Sequence, residues 1–544
     1  MRRFALALTS ALPLLVALSP ALAAPPNPPA ASAPPPEGRP GGVLRLANRE
    51  DLVSGFALHE SVTVSDTWVA MPCYNNLVVF DQKQRVERLE TIVGELAERW
   101  SWQDTYRRLV FFLRRDVRWH DGQPFTAKDV KFTFDLVREG KDAPGKLRAN
   151  PRKEWYANVE SVETPESHVV VFQLRRPQPS LLAMLASGFS QVLPAHVPPG
   201  EHRTRCLGTG PFKFREWRRG QFIELVRNPD YFVKGRPYLD GLRYVVIAER
   251  GTRTAALQGR EVDVAFPGDT TVAIAEQLRA AVPAMVFSET TPNVNENLLI
   301  NTKRPPFDNP NVRRALSLAI PRREYVKAVG QGSALVGAGM LPAPWGVWGL
   351  PEKDVLQLPG YGGAAADRAR ARQLLADVGF GPGRSLKVEV VTRSLANYMD
   401  LASYVVGELR RVGMDASLKQ VESAQFYGIM NRRDYQVSAN LTGVGVDDPD
   451  VNFLENYACG SSRNYTDYCD AGVAKLIEEQ SQEVNPRKRQ ALVWQIQKKL
   501  ETDAARPILG WRTDRFARWP QVKGLFTHSV TYNCCRQEDT WLDR

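Results

Sequence analysis

Few residues in this sequence stand in patterns that support catalysis or metal binding. The phosphate-loop pattern G-x-x-x-x-G-K-[ST], the zinc-protease pattern H-E-x-x-H and the hydrolase pattern G-x-S-x-G do not occur in the 544 residues. The six histidines are scattered along the chain. His196 and His202 are six residues apart, but two prolines separate them and no third ligand is near, so we expect no metal site there. We therefore expect no enzyme activity and no cofactor.

Two groups of polar residues remain candidates for a binding site. His59-Glu60 follows the first predicted strand, where the pair would either face a cleft or lie in an ordinary loop. Asp447 belongs to the acidic turn at 446–450, which would either meet a ligand or cap the element that follows it. A hydrolase that used His59, Glu60 and Asp447 is the rival class of function, and the missing nucleophile motif counts against it.

The start of the chain has the features of an export signal. Arg2 and Arg3 precede the apolar run at 4–18, and Ala-Leu-Ala at 21–23 has the A-x-A form of a cleavage site. We expect a signal peptide at 1–23, followed by a Pro/Ala-rich linker at 24–41. No cysteine stands at the cleavage point, so we expect a periplasmic protein without a lipid anchor.

Composition and charge place the chain among ordinary globular proteins. A chain of 544 residues exceeds the size of one core and predicts about two or three domains. The formal net charge is +11, but the arginines are spread along the chain and no long basic block occurs. We therefore expect neither nucleic acid nor a membrane surface as a partner, because both are bound by clustered positive charge.

The six cysteines are expected to pair, because an exported chain enters an oxidising compartment. Cys459 and Cys469 are ten residues apart in a loop rich in Gly, Ser and Asn. The other four allow three pairings, and the residues alone do not choose among them: Cys73, Cys206, Cys534 and Cys535.

Strands and helices alternate along the segments that would position these residues. Between residues 207 and 266, turns at Gly208 and Asn228 separate short strands, and a helix at 252–258 then precedes a strand at 261–266. A β-α-β-α-β run follows, at 386–392, 397–411, 416–421, 424–432 and 435–441. This alternation predicts an α/β fold with mixed sheets covered by helices.

Four blocks of sequence closely resemble one family, and they occur in the same order. The first is 97–134, and the second holds GTGPF at 208–212, NPDYF at 228–232, PYLDG at 237–241 and LQGREVDVA at 257–265. The third is 297–326 and the fourth is 456–477. Over roughly residues 42–530 the chain resembles the extracellular solute-binding proteins of ABC importers, family 5, which bind peptides, nickel or opines.

This resemblance implies a two-lobed periplasmic-binding-protein fold with an inserted subdomain. The first lobe would comprise residues 42–75 and 206–290 with a return at 509–544, the inserted subdomain 76–205, and the second lobe 291–508. The chain would cross between the lobes at two hinges, near Asn295 and near Leu509, which places Asn295 and Trp511 beside the cleft. Bending at two such crossings would close the lobes around a ligand.

The resemblance also assigns candidate ligand-binding residues. In relatives that bind peptides, an aspartate beside the acidic turn neutralises the peptide's α-amino group. When the chains are aligned on Asp-Pro-Asp at 448–450, that position is Gly445 here, which leaves Asp447 as the candidate replacement. Arg393 would grip a ligand carboxylate through its planar guanidinium, and Trp511 would supply an apolar wall. The family often bridges a spacing such as Cys459 to Cys469.

By this resemblance the protein is a monomeric importer component that binds a small organic solute and catalyses nothing. The first choice of ligand is a short peptide or a peptide-like molecule. A nickel chelate, haem, an opine and an oligosaccharide are the alternatives. The expected partners are an ABC permease and its ATPase in the inner membrane.

Overall fold

The structure is a computed structural model that describes residues 38–331 and 334–544. The expected signal peptide and the expected linker as far as residue 37 lie outside the described residues. Strands and helices alternate through most of the rest. The strands are β1 Val43–Asn48, β2 Val78–Phe80, β3 Ile92–Gly94, β4 Ala97–Gln103, β5 Arg108–Leu113, β6 Val159–Glu166, β7 Val169–Leu174, β8 Phe212–Arg218, β9 Phe222–Arg227, β10 Gly241–Val246, β11 Val286–Thr290, β12 Val294–Ile300, β13 Lys387–Arg393, β14 Asp415–Val421, β15 Val437–Gly443, β16 Ile508–Trp511, β17 Asp514–Arg518, β18 Val522–Lys523 and β19 Trp541–Leu542.

The helices cluster in the second half of the chain. They are α1 Val64–Ala70, α2 Ala127–Val137, α3 Leu181–Leu185, α4 Arg250–Gln258, α5 Val272–Ala281, α6 Pro310–Leu318, α7 Arg322–Ala328, α8 Glu352–Val355, α9 Ala364–Asp377, α10 Ala396–Arg411, α11 Ser423–Arg432, α12 Pro449–Asn456, α13 Ala471–Gln482 and α14 Pro486–Asp503.

The first lobe is built on a four-stranded mixed sheet of order β1-β10-β9-β8. Strand β1 runs parallel to β10, and the remaining pairs are antiparallel. The GTGPF motif enters this sheet where the chain passes close to Cys73. A Cβ atom at Gly208 would lie 2.0 Å from the carbonyl oxygen of Cys73, so only glycine fits there. The predicted strand at 261–266 is reduced to isolated bridges from Val264 to Leu46 and to Arg518.

A second antiparallel sheet, of order β4-β5-β7-β6, forms the inserted part of this lobe. Helix α2 packs on it and begins with a capping box, in which Asp129 accepts the backbone N–H of Thr126 at 2.8 Å. The disulfide Cys73–Cys206 joins two positions 133 residues apart, one on each side of the inserted segment.

The second lobe contains a five-stranded sheet of order β14-β13-β15-β12-β16. Strands β13, β14 and β15 come from the predicted β-α-β-α-β run and pair in parallel. Strands β12 and β16 lie side by side and antiparallel, with Asn295 opposite Trp511. These two strands therefore bring the chain into the second lobe and out of it at neighbouring positions.

Each lobe has its own hydrophobic core. One core joins β1, β10 and the inserted sheet to the C-terminal segment, and the other joins α6, α9 and α10 to the five-stranded sheet. Val444, Val446 and Val451, which follow β15, pack into the first core. The expected two-lobed α/β fold is confirmed.

No helix within 38–331 or 334–544 is both long enough and apolar enough to cross a bilayer.

All six cysteines are paired, and no disulfide joins the two cores. The predicted bridge Cys459–Cys469 is confirmed, with its Cα atoms 5.0 Å apart. The other two pairs are Cys73–Cys206 and the adjacent residues Cys534–Cys535. The two lobes are thus covalently connected only through the main chain, which leaves them free to bend.

Candidate ligand-binding cleft

A cavity of about 730 Å³ lies between the two lobes. The first lobe contributes loop residues around Arg49, Thr63, Gly268 and Tyr532, and the second lobe contributes strand β15 with the loops beyond α12 and α14. Its wall consists of Arg49, Val62, Thr63, Val64, Pro267, Gly268, Val294, Arg393, Tyr398, Tyr427, Asn440, Leu441, Thr442, Gly443, Asn456, Arg463, Tyr465, Arg506, Arg512, Asp514, Thr531 and Tyr532. Among these described residues, five are arginines and one is an acid.

The lobes approach each other closely at one wall of this cavity. A Cβ atom at Gly443, at the end of β15, would lie 2.2 Å from the hydroxyl oxygen of Tyr532 in the C-terminal segment of the first lobe. Tyr532 in turn packs against Phe189, with their ring centroids 5.1 Å apart. The closed arrangement therefore depends on a glycine at 443.

An ion pair between Glu50 and Arg393 joins the lobes across one end of the cavity. Glu50 follows β1 of the first lobe and Arg393 ends β13 of the second. Arg393 Nη2 donates to both carboxylate oxygens of Glu50, at 2.8 and 3.0 Å. Ser423 at the start of α11 also donates to Glu50, and Ser65 of the first lobe donates at 2.7 Å.

The electrostatics of this pair favour the charged carboxylate. Burial raises the pKa of Glu50, but the guanidiniums of Arg393 and Arg49 and the hydroxyls of Ser423 and Ser65 outweigh it and lower the pKa to about 2. Glu50 therefore stays ionised over the whole physiological range.

Arg393 has no donor left for a ligand. Its Nε donates to Ser423 at 3.1 Å, and its Nη1 donates to the hydroxyls of Tyr398 and Tyr427 at 3.0 and 3.4 Å. Its Nη2 is taken by Glu50 and Ser423. Arg393, which the sequence predicts to bind a ligand carboxylate, thus lies in the cavity wall. A carboxylate of the protein itself, that of Glu50, is bound to it.

Another part of the cavity wall contains two arginines, of which one has no counter-charge within the described ranges. Arg463 lies in the loop that the Cys459–Cys469 disulfide closes, and it donates to Glu455 at 2.7 Å and to the hydroxyl of Tyr465 at 3.0 Å. Arg506 lies between α14 and β16 and is only 4% exposed. Its Nε and Nη1 atoms are buried and have no hydrogen-bond partner among the described residues.

Asn295 and Trp511 lie at the two crossings, as expected, but outside the cavity wall. Asn295 accepts a bond from Asn297 at 2.7 Å, within β12. Trp511 is fully buried and donates to the carbonyl of Ala338 at 2.9 Å. Both contribute to the packing of the crossing strands, and their ligand contacts stay a prediction.

His59 and Glu60 also lie away from the cavity wall, in the first lobe. His59 is bonded through Nε2 to the carbonyl of Gln191 at 2.8 Å, and burial lowers its pKa to about 4. Glu60 accepts two bonds from Arg203, at 2.9 and 2.6 Å. The hydrolase alternative requires this pair to lie beside Asp447, and the structure does not bring them together.

Asp447 lines a different pocket, beside Trp348 and Arg489. Its Oδ2 accepts the backbone N–H of Val347 at 3.1 Å, while its Oδ1 is buried without a partner among the described residues. The neighbouring Asp448 caps helix α12, so the acidic turn does cap the element that follows it.

Gly445 cannot be replaced by an acid without a local shift. A Cβ atom there would lie 2.9 Å from the indole ring of Trp155 and 3.2 Å from the hydroxyl of Ser187. Residues of the inserted subdomain thus fill the space in which the family resemblance predicts an amine-binding aspartate.

Reasoning from the sequence missed Glu50, Arg49, Arg463, Arg506 and Arg512. Arg463 carried a usable signal, because it lies inside the short disulfide loop of the fourth family-like block. Glu50 and Arg506 carried none, since their neighbours in the sequence do not indicate which distant charges each of them meets.

Comparison with known proteins supports a binding cleft. The family described as "Bacterial extracellular solute-binding proteins, family 5 Middle" matches residues 91–464 of this chain. A probable di/tripeptide-binding protein of Pseudomonas aeruginosa is 27% identical over 468 residues, which covers 79% of this chain and 82% of the relative. The dipeptide-binding protein of Escherichia coli is 25% identical over 483 residues, which covers 84% and 86%.

Solved structures show the same fold. A periplasmic binding protein of an ABC transporter from Helicobacter pylori, in complex with the peptide STSA, has a TM-score of 0.82 at 23% identity and covers 93% of this chain and 99% of that chain. A binding protein from A. tumefacien R10, in complex with mannopinic acid, has a TM-score of 0.80 at 23% identity and covers 93% and 100%.

Proposed function

The chain belongs to family 5 of the bacterial extracellular solute-binding proteins, and on that basis we propose that it binds a small peptide-like solute between its lobes and delivers it to an ABC importer. The closed interlobe cavity is the observation that carries the proposal. Small-molecule sites occur preferentially between domains, and this cavity is lined by residues of both lobes. The curated relatives named above are di- and tripeptide-binding proteins, which supports a peptide-like ligand.

The mechanism follows from two lobes that are joined by two adjacent strands and no disulfide. Opening at β12 and β16 would expose the cavity, and closure would bury a solute against both lobes. A solute that contacts both lobes only in the closed form shifts the population toward that form. A membrane permease would then recognise the closed shape in the periplasm.

Scattering and mass spectrometry together test this function. We expect the radius of gyration of ligand-free protein to fall on addition of a bound solute, and native mass spectrometry of protein from its own periplasm to show a small copurified organic molecule. An unchanged radius of gyration at saturating ligand, with binding verified by calorimetry, would contradict the closing mechanism.

A thermal-shift screen identifies the ligand class. A ligand at 100 times its Kd adds about 2.7 kcal/mol to the free energy of unfolding. We expect such a shift with some di- to pentapeptides or peptide-like acids. Shifts with oligosaccharides or metal chelates alone would refute the peptide-like part of the proposal and leave the importer role in place.

A further inference from the structure

The charges that line the cleft favour some classes of organic solute over others, and Arg506 is the residue on which this preference depends most. Helix α14 ends at Asp503, and Ala504 adopts a left-handed conformation that turns the chain toward β16. This turn buries Arg506 in the cavity wall, where its guanidinium lies over the ring of Tyr457, 5.3 Å from the ring centroid. No carboxylate among the described residues forms an ion pair with it.

We infer that the solute carries a negatively charged group, such as a carboxylate, which binds to the unpaired guanidinium of Arg506. This inference rests on the proposed function and names the chemical class of its ligand. A buried guanidinium without a counter-charge is costly, because desolvation of an ion requires pairing and hydrogen bonds in return. A carboxylate is the geometric match for its planar donors.

The neighbouring charges strengthen the argument. Burial lowers the pKa of Arg506, and the charge of Arg463 lowers it further. Arg152 of the inserted subdomain is also buried, has an unpartnered Nε, and interacts electrostatically with both Arg463 and Glu455. Arg463 and Arg152 thus share the carboxylate of Glu455, and Arg506 beside them has no carboxylate partner among the described residues.

The protein can satisfy a buried arginine by itself. Arg322 is fully buried, yet its Nε donates to the carbonyl of Ile508 at 2.9 Å and its Nη2 donates to the hydroxyl of Ser317 at 2.7 Å. Burial alone therefore does not explain the unpartnered nitrogens of Arg506 in the cavity wall.

The same cleft offers no unpaired acid to a ligand ammonium. Asp514 is the acid among the lining residues that the structure describes, and Arg512 donates to it at 2.8 Å. Gly445 has no carboxylate, and Asp447 lies in another pocket. A free primary amine would therefore gain little here, and a solute with a blocked or substituted amine would lose nothing.

Two matched pairs of probes test the charge requirement. The first pair is N-acetyl-Ala-Ala-Ala and N-acetyl-Ala-Ala-Ala-amide, which differ in the terminal carboxylate. The second is mannopinic acid and its diamide, which has lost both carboxylates. Affinities are measured by calorimetry at pH 7 on the full chain after unfolding and refolding, which removes copurified ligand. We expect the acid of at least one pair to bind at least tenfold more tightly than its amide.

Variants assign that preference to Arg506. We expect Arg506→Gln to abolish the acid preference and Arg506→Lys to keep part of it. Arg314→Gln is the matched control, because it removes the same charge from the same lobe outside the cavity wall. Ligand-free Arg506→Gln should unfold at the same temperature as the wild type or higher, since it loses an unpaired buried charge; a purely structural arginine would give a lower temperature.

The outcomes separate this inference from the proposed function. Tripeptides that bind equally well as acid and amide, with no acid preference in the mannopinic pair, would support the function and overturn the inference. An acid preference in the mannopinic pair alone, with no tripeptide binding, would refute the peptide-like ligand and support the inference. Acid preference that survives Arg506→Gln, or no binding of either acid, would overturn the role of Arg506.

Discussion

Two arginines in the wall of the interlobe cavity have opposite surroundings, and each marks what is called here one end of the cavity. At one end, Arg393 meets Glu50 from the other lobe and all of its donors are used. At the other end, Arg506 is equally buried, yet two of its nitrogens have no partner in the part of the chain that the structure describes. The first end is complete without a solute, and the second is not.

This difference shows how a two-lobed binding protein can give its closed form some stability and still make closure depend on a ligand. The Glu50–Arg393 pair gives the closed form some stability of its own, because it forms only when the lobes meet. The Arg506 end lacks a counter-charge among the described residues until an anion binds, so a solute that supplies one stabilises the form in which it is enclosed. A solute therefore decides the balance between the open and the closed form.

Glu50→Gln should produce the largest effect. It leaves the buried charge of Arg393 unpaired, and breaking a buried ion pair in this way costs about 3–5 kcal/mol. Because the pair joins two lobes, we expect the loss to appear as opening, with a larger radius of gyration by X-ray scattering without ligand.

The matched control is Asp51→Asn, since Asp51 bonds to Trp217 and Gly220 within the first lobe. It should leave the radius of gyration unchanged. The double variant Glu50→Gln with Arg393→Met should restore part of the compaction, because it removes the unpaired charge. An unchanged radius in Glu50→Gln would remove the idea that this pair holds the lobes together.

Low pH should open the cleft at the Glu50–Arg393 ion pair. The pKa of Glu50 is lowered from 4.5 to about 2 in the closed form. Its contribution to closure is therefore complete above pH 4.5 and is lost as the pH falls toward 2. At about 1.4 kcal/mol per pKa unit, the contribution is roughly 3 kcal/mol. Scattering between pH 5 and 2 should show expansion in the wild type, and Glu50→Gln should lack this component.

Removal of the Cys459–Cys469 disulfide should weaken anion binding at the part of the cavity wall that contains Arg506. The bridge closes a loop of ten residues, which corresponds to about 2–3 kcal/mol of stability in the chain-entropy model. The loop carries Arg463 and Tyr465, so we expect the double serine variant to lose stability in urea and also to bind the acidic probes more weakly.

The pair Cys534–Cys535 provides the control, because a bridge between adjacent residues closes almost no loop. Its double serine variant should change stability less and leave acid binding unchanged. Equal losses of affinity in both variants would show that the Cys459–Cys469 loop does not position the anion site.

Asp447→Asn should have the smallest effect and a defined pH dependence. Burial raises the pKa of Asp447 to about 8, against one bond from the backbone N–H of Val347. A carboxyl whose pKa is raised from 3.8 to about 8 in the folded state costs no stability below 3.8, and the cost grows as the pH rises from 3.8 to 8 and is complete above 8. Urea unfolding should therefore show Asp447→Asn to be more stable than the wild type at pH 9 and nearly equal to it at pH 4.

Affinity measurements on the same variant sharpen the comparison of the two ends. Asp447→Asn should bind the acidic probes as the wild type does, because Asp447 lies outside the cavity wall. Asp448→Asn should instead lose stability, since Asp448 accepts two bonds from Arg489, at 2.9 and 2.7 Å. A large loss of affinity for amine-bearing peptides in Asp447→Asn would restore its expected role in amine binding.

The sequence predicted the elements of the fold more reliably than the contacts of the cleft. The strand that ends at Arg393, the strand that follows α11 and the Cys459–Cys469 bridge all appear where residue patterns and family resemblance place them. Asn295 and Trp511 lie opposite each other on β12 and β16, and His59 and Glu60 bond within the first lobe. The ligand contacts of all four stay a prediction.

The sequence by itself determined where strands and helices form, because periodicity, turns and caps depend on neighbours a few residues apart. It also determined that Gly445 lacks a carboxylate. Only the tertiary structure decided that Glu50 pairs with Arg393, which is 343 residues away in the sequence. It also decided that Arg506 is buried without forming an ion pair with an acidic residue that the structure describes. The physical reason is that the pairing of a charge depends on which distant side chain reaches it once both lobes have folded and closed, and no local pattern carries that information.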